Sequence, residues 1–209
     1  MSKAICIMGQ SGVGKTYSLR NLNPKETFYI DADGKGLNWK GWKKQYNAES
    51  KNYYKTDDPS AILSIIRQID EKQKHIKYLI VDTVNGIMIG DEMRRMKEKG
   101  YDKWQDLSQA VYYIVHDSNT YREDLVVILI AHVQVEEDGF THILTNGKKL
   151  NKIQLETMLN NVLLARVVDG KYVFETKANN STAKTYAGAF DEDVIDNDIL
   201  KVIEAINEF

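Results

Sequence analysis

Residues 9–16 read Gly9-Gln10-Ser11-Gly12-Val13-Gly14-Lys15-Thr16, between an apolar run, Ala4-Ile5-Cys6-Ile7-Met8, and a helix-compatible segment, Tyr17-Ser18-Leu19-Arg20-Asn21-Leu22. Few octapeptides restrict a chain so tightly. Glycines at 9, 12 and 14 permit backbone turns closed to other residues, so that successive amide groups converge on an anion. Lys15 is placed to reach β and γ phosphates, and the Thr16 hydroxyl suits Mg²⁺. A helix starting here would aim the positive end of its dipole at the same anion. Strand, loop and helix in this order separate a phosphate loop from an ordinary glycine-rich turn. Gly9 to Thr16, with Tyr17 beside them, therefore form the expected nucleotide site, with ATP and Mg²⁺ as its ligands.

A chain of 209 residues suffices for one well-buried α/β domain and is short for two, so residues 1–209 are expected to form one. The net charge of -2 carries no global nucleic-acid signature, and any such binding must come from a local patch. The one cysteine, Cys6, falls inside the first apolar run and reads as a small core residue. Nothing approaches the ~18 apolar residues of a membrane span, and the amino terminus lacks a signal-peptide layout. A soluble, cytoplasmic protein without a membrane partner is expected.

Apolar runs at 4–8, 27–31, 78–82 and 125–131 alternate with helical or loop material, the pattern of a mostly parallel sheet flanked by helices. Helices are expected at 59–73, 86–100, 104–118 and 198–208. The polar stretch 133–153 reads as a long loop or hairpin. Strands at 161–168 and 171–176 flank Asp169-Gly170, a hairpin turn signal.

Three strand ends carry polar residues with chemical potential. Tyr78-Leu79-Ile80-Val81-Asp82 ends in a carboxylate suited to the Mg²⁺ coordination shell. Ile30-Asp31-Ala32-Asp33 offers a carboxylate to orient and deprotonate water; Asp33 is the candidate and Asp31 its rival, because alternation places both on one face. Ile130-Ala131 runs into His132, which could hydrogen-bond a γ phosphate and transmit its loss to the following loop.

The phosphate loop, Ile30-Asp31-Ala32-Asp33, Ile80-Val81-Asp82-Thr83-Val84, Ser108-Gln109-Ala110 and Ile128-Leu129-Ile130-Ala131-His132-Val133-Gln134 resemble, in order and spacing, the core of RecA-type recombinases. The sequence looks closer still to short RecA-like ATPases of bacteriophages, the fourth group of Sak single-strand annealing proteins, and to phage AAA-domain nucleotide-binding proteins. Gly147-Lys148-Lys149-Leu150, Tyr172-Val173-Phe174-Glu175-Thr176, Ala183-Lys184 and Asp196-Asn197-Asp198-Ile199-Leu200 extend the similarity over nearly the whole chain.

The resemblance implies a RecA-like phosphate-loop core with a carboxyl-terminal β-hairpin and helix. It further implies an ATP-dependent recombination protein that binds single-stranded DNA, assembles into a homo-oligomeric ring or filament with ATP at subunit boundaries, and works with a single-strand binding protein. By position, Asp33 stands where RecA proteins have a water-activating glutamate, one methylene longer, which implies slow hydrolysis. His132 stands at the position of the γ-phosphate-sensing glutamine. DNA-contacting loops would contain Arg94, Arg95, Lys97, Lys99, Lys103 and Trp104, then Lys148, Lys149 and Lys152. Lys177 and Lys184, after the last expected strand, would reach a neighbouring subunit's nucleotide, with Arg166 a weaker candidate for that role.

Two other functions fit the same phosphate loop: a small-molecule kinase, which would need an arginine-rich lid that six arginines barely supply, and a nucleotide-gated scaffold with negligible turnover.

Overall fold

The computed structural model describes residues 2–146 and 148–209. Successive strands are Lys3–Gly9 (β1), Thr27–Asp31 (β2), Tyr53–Lys55 (β3), Tyr78–Asp82 (β4), Val126–Val135 (β5), Thr141–Ile143 (β6), Asn161–Val168 (β7), Lys171–Glu175 (β8) and Val194–Asp196 (β9). Helices are Trp42–Gln45 (α1), Pro59–Lys72 (α2), Val84–Arg94 (α3), Tyr101–Asp117 (α4), Lys148–Ile153 (α5) and Ile199–Ile206 (α6). The sheet runs β3-β2-β4-β5-β1-β7-β8-β9, parallel from β3 through β7 and antiparallel beyond, while β6 pairs with the outer half of β5. The strand carrying His132 thus lies between the phosphate-loop strand and the Asp82 strand, which is the RecA-like order.

Side-chain alternation explains why these strands read as nearly continuous apolar runs. Cys6, Met8, Val81, Val127 and Leu129 bury on the face covered by α2, α3 and α4. Ile5, Ile7, Ile80, Ile128 and Ile130 bury on the opposite face, under α6 and a cluster including Trp39, Trp42 and Tyr46. Both faces are covered, so neither residue parity needs polarity. Asp58 caps α2 by accepting from the amides of Ser60 and Ala61, with Pro59 in the first turn, and Asp198 caps α6 through the Leu200 amide.

Several sequence expectations change. The segment after the phosphate loop is one 3₁₀ turn, Thr16–Leu19, and not a helix, so little macrodipole is available to the anion. The helix expected over 86–100 ends at Arg94, and 133–153 divides into the β5–β6 hairpin and α5. β3, β9 and α1 are too short to produce a periodic signal, and β9 means that Lys177 and Lys184 precede the last strand. Among the described residues no helix is long and apolar enough to cross a membrane.

Ile128 is fully buried in central β5, so Ile128→Ala should cost about 2–5 kcal/mol, measured as a lowered urea midpoint with an unchanged slope.

Candidate functional site

The carboxyl ends of β1, β2, β4 and β5 meet at one edge, because parallel pairing in register sets Gly9 opposite His132 and Asp31 opposite Asp82. Their polar residues therefore converge although 117 positions separate Lys15 from His132.

Asp82 lies deepest. It is 2 % exposed, and its Oδ2 accepts from Thr16 Oγ1 at 2.8 Å and from the Tyr29 hydroxyl. Its other oxygen, Oδ1, is buried with no hydrogen-bond partner. Burial, only partly offset by those donors, pushes the carboxyl above its ordinary value. An orphaned buried oxygen next to a threonine hydroxyl fits a divalent cation, which would restore the charged form. Among the described residues no group of three or more His, Cys, Asp and Glu could hold a metal alone. Thr16 and Asp82 would thus supply the protein's share of a Mg²⁺ shell, phosphate and water completing it. When bound, the ion would screen phosphate charge.

Lys15 is 7 % exposed, and its ammonium donates to the carbonyl oxygens of Gly9 at 2.8 Å and Gln10 at 2.6 Å. Burial, opposed by Asp82 and Asp33 and assisted by Lys35, pulls its pKa down to about 8. A buried cation held by neutral carbonyls, with no carboxylate in direct contact among the described residues, is well disposed to receive phosphate.

Asp31 and Asp33 separate in the fold. β2 ends at Asp31, so strand alternation does not extend to Asp33, which sits on the following bend. Asp31 is consumed structurally: it accepts from the amides of Gly34 and Gly36, both at 2.8 Å, and from the Tyr53 hydroxyl at 2.5 Å. Asp33 Oδ1 accepts from Thr83 Oγ1 at 2.6 Å, while Oδ2 lies 2.5 Å from Lys35 Nζ and 4.0 Å from His132 Nε2. Burial favours the protonated acid, but Lys35 and Thr83 outweigh it and hold the carboxyl below its usual value. Such a carboxylate orients water better than it removes a proton.

His132 Nδ1 is 3.5 Å from Lys15 Nζ, and burial with the adjacent ammonium pushes its pKa down. The ring is therefore neutral at pH 7, and a cation facing Nδ1 assigns the proton to Nε2, on the Asp33 side. Asn85 ties the His132 backbone to its surroundings, accepting from the His132 amide at 2.7 Å and donating to the Leu144 carbonyl at 2.7 Å.

Four contributors escaped sequence reading: Tyr29, Lys35, Thr83 and Asn85. Thr83 had a local signal, a hydroxyl residue capping α3 by accepting from the Gly86 amide. Gly86 also leaves room for Asp33, since a Cβ there would meet Asp33 Oδ1 at 2.5 Å. Tyr29 sits in an apolar strand and resembles core until Asp82 is placed beside it.

Around the phosphate loop, Val13 and Gln10 border an open cavity of about 420 Å³ lined also by Val135, Thr141 and Arg166. Ser11 and Gly12 are exposed, Gly14 lies beneath the Tyr172 ring, and Tyr17 approaches that ring with a centroid separation of 5.7 Å. Arg166 donates to Glu175 at 2.5 Å across the β7–β8 hairpin.

The two arginines of the expected basic cluster are already paired with carboxylates. Arg94 pairs with Asp57, and Arg95 pairs with Glu98 at 2.8 Å and Asp106 at 3.1 Å. Lys103 is 7 % exposed, against the Trp104 ring, which leaves its ammonium poorly placed for a phosphate backbone. Lys97, Lys99 and Lys152 are exposed and Trp104 is partly so. The side chains of Lys148 and Lys149 lie outside those described. Lys177 pairs with Asp193 at 2.6 Å, and the Lys184 backbone bridges Val162.

The sequence matches the family model described as AAA domain over residues 1–185. The chain belongs to the AAA domain family. As an AAA domain it is a phosphate-loop nucleotide-binding protein, and the matched span includes the glycine-rich loop at 9–16. Its structure is similar to that of a KaiC-like protein from the hyperthermophilic archaeon Pyrococcus horikoshii, with 12 % identity, TM-score 0.45, 82 % of this chain and 76 % of that one covered. No curated protein matches the sequence.

A lysine whose folded pKa is depressed leaves the unfolded chain holding more protons between pH 8 and 10.5. Folding stability must therefore rise with pH across that window. Relative to Lys15→Ala, the wild-type AAA domain should gain about 3 kcal/mol between pH 8 and 10.5, read from urea midpoints of both proteins.

Proposed function

We propose that this protein binds ATP with Mg²⁺ and hydrolyses it slowly to ADP and phosphate, using the cycle to control binding to single-stranded DNA during phage recombination or annealing. The observation that carries the reading is the convergence of Lys15, the Thr16–Asp82 pair, Asp33 and His132 at one sheet edge. Lys15 would hold the β and γ phosphates, Thr16 and Asp82 the metal, and Asp33 the attacking water. His132 would answer to the terminal phosphate.

The link to a second ligand runs through Asn85. It joins the His132 backbone to Leu144, at the start of the segment that leads into α5 and its lysines. A change at His132 would reach that segment through two hydrogen bonds. Lys148, Lys149 and Lys152 become the leading DNA contacts. Lys97 and Trp104 stand second, and Arg94, Arg95 and Lys103 would have to leave their present partners. Lys177, Lys184 and Arg166 remain candidates for acting on a neighbouring subunit's nucleotide in a homo-oligomer. A single-strand binding protein is the natural accessory.

A nucleotide-gated scaffold is favoured by one observation, the engagement of both Asp33 oxygens by Lys35 and Thr83, which makes Asp33 a weak base. Steady-state turnover discriminates. Lys15→Ala should abolish ATP binding, whereas Asp33→Asn should retain binding and lose hydrolysis by about 100-fold or more. Full activity in Asp33→Asn would remove Asp33 from the water's side. Single-stranded DNA should stimulate wild-type turnover, and changing Lys148 and Lys149 to Ala should reduce both that stimulation and the salt dependence of DNA binding.

A further inference from the structure

The bend after β2 delivers a second cation to the nucleotide site. In Asp31-Ala32-Asp33-Gly34-Lys35-Gly36, the two glycines around Lys35 have φ of +69° and +77°. Their amides both donate to the Asp31 carboxylate, itself 2 % exposed and held by Tyr53. A Cβ on Gly34 would lie 2.4 Å from Lys55 Cε, and one on Gly36 would lie 2.7 Å from the Trp42 ring. Position, turn and packing therefore oblige the chain to double back, so that residue 35 returns toward residue 33. The Lys35 ammonium meets Asp33 Oδ2 at 2.5 Å. From there polar contacts continue through the neutral imidazole: Asp33 to His132 at 4.0 Å, and His132 to Lys15 at 3.5 Å.

We propose that Lys35 is a cis-acting sensor of the terminal phosphate, paired with Asp33 in the free protein and transferred to the γ-phosphate oxygens when a nucleoside triphosphate binds. The inference rests on the nucleotide-binding reading above and adds to it a residue and a selectivity. A triphosphate brings a dense negative charge to the Lys15 side of the cluster. Lys35, with a side chain 53 % exposed, has the freedom to follow it, while Asp33 at 16 % does not. Transfer does two things together: it gives the terminal phosphate a second cation, and it frees Asp33 Oδ2 to orient water. A diphosphate lacks the terminal group and leaves the Lys35–Asp33 pair closed. Asp82 and Asp31 also lie within electrostatic reach of Lys35 and keep it protonated. The cation would thus come from the same subunit, whatever a neighbouring subunit adds.

The test is titration calorimetry of the full chain with Mg²⁺ and either ADP or the non-hydrolysable analogue adenylyl imidodiphosphate. Lys35→Gln should weaken analogue binding about tenfold and leave ADP binding unchanged, and Lys35→Arg should restore the preference. Asp33→Asn releases the competitor and should tighten analogue binding, a gain that must disappear in the double variant Asp33→Asn/Lys35→Gln. Equal losses for both nucleotides, no loss at all, or a gain that persists in the double variant would overturn the proposal, the last by showing simple relief of repulsion. Wild-type turnover separates the two readings. Absent ATP hydrolysis with a Lys35-dependent analogue preference would overturn the hydrolase reading and support the sensor. Normal hydrolysis with an unchanged preference would overturn only the sensor.

Discussion

A buried carboxylate with one unsatisfied oxygen organises this protein. Asp82 sits at the end of a central strand, where withdrawal from water opposes its charge, and Tyr29 and Thr16 meet only Oδ2. A group of this kind is tolerated where function requires it, because replacing it by an apolar residue would relieve the desolvation cost. Its surroundings follow from the need to hold it. Tyr29 comes from the neighbouring strand, packed among Tyr46 and Tyr53, and Thr16 comes from the end of the phosphate loop. The remaining oxygen faces the demand that a hard cation would meet.

Charge balance sets the character of the rest of the site. Two lysines, three carboxylates and a neutral imidazole occupy one edge, and their charges act on one another. Lys15 is pulled down by burial and His132 by burial and Lys15, whereas Lys35 is held up by Asp33 and its companions. Without a ligand the cations satisfy themselves on carbonyls and a carboxylate. Phosphate binding would therefore be an exchange of partners more than a creation of new charge pairs, and exchange permits modest energies to discriminate between closely related nucleotides. Asn85 extends the exchange outward, since it contacts both the strand bearing His132 and the segment leading to α5.

Much of this could be read directly from residues. The central strands coincide closely with their apolar runs, because a strand buried on both faces leaves a continuous signature that needs no partner to interpret. The phosphate loop is equally local: its spacing of glycines, lysine and threonine has meaning within eight residues. Lys15 and Thr16 could be nominated from the loop itself, and Asp82, Asp33 and His132 because each stands at or just beyond a strand end, and strand ends of a parallel sheet share an edge. What stayed hidden was whatever depended on turn geometry or on a neighbouring strand. Asp31 and Asp33 looked equivalent until β2 stopped at Asp31, and Arg94, Arg95 and Lys103 looked like a nucleic-acid patch until Asp57, Glu98, Asp106 and Trp104 were found against them. The helix expected after the phosphate loop failed for a related reason: only a single 3₁₀ turn forms there before Asn23-Pro24.

Sequence alone determined the fold class, the nucleotide loop and the strand-end carboxylates, since these follow from periodicity and spacing along a few consecutive residues. Tertiary structure decided that Asp31 is taken up by its turn while Asp33 faces Lys35, Thr83 and His132, which cations are already paired, and that Lys35, Tyr29, Thr83 and Asn85 join this edge. The physical reason is distance. Hydrogen bonds and ion pairs act over a few ångströms, and residues as far apart in the chain as Tyr29 and Asp82, or Asn85 and His132, reach that range only after parallel strands pair and their turns are set.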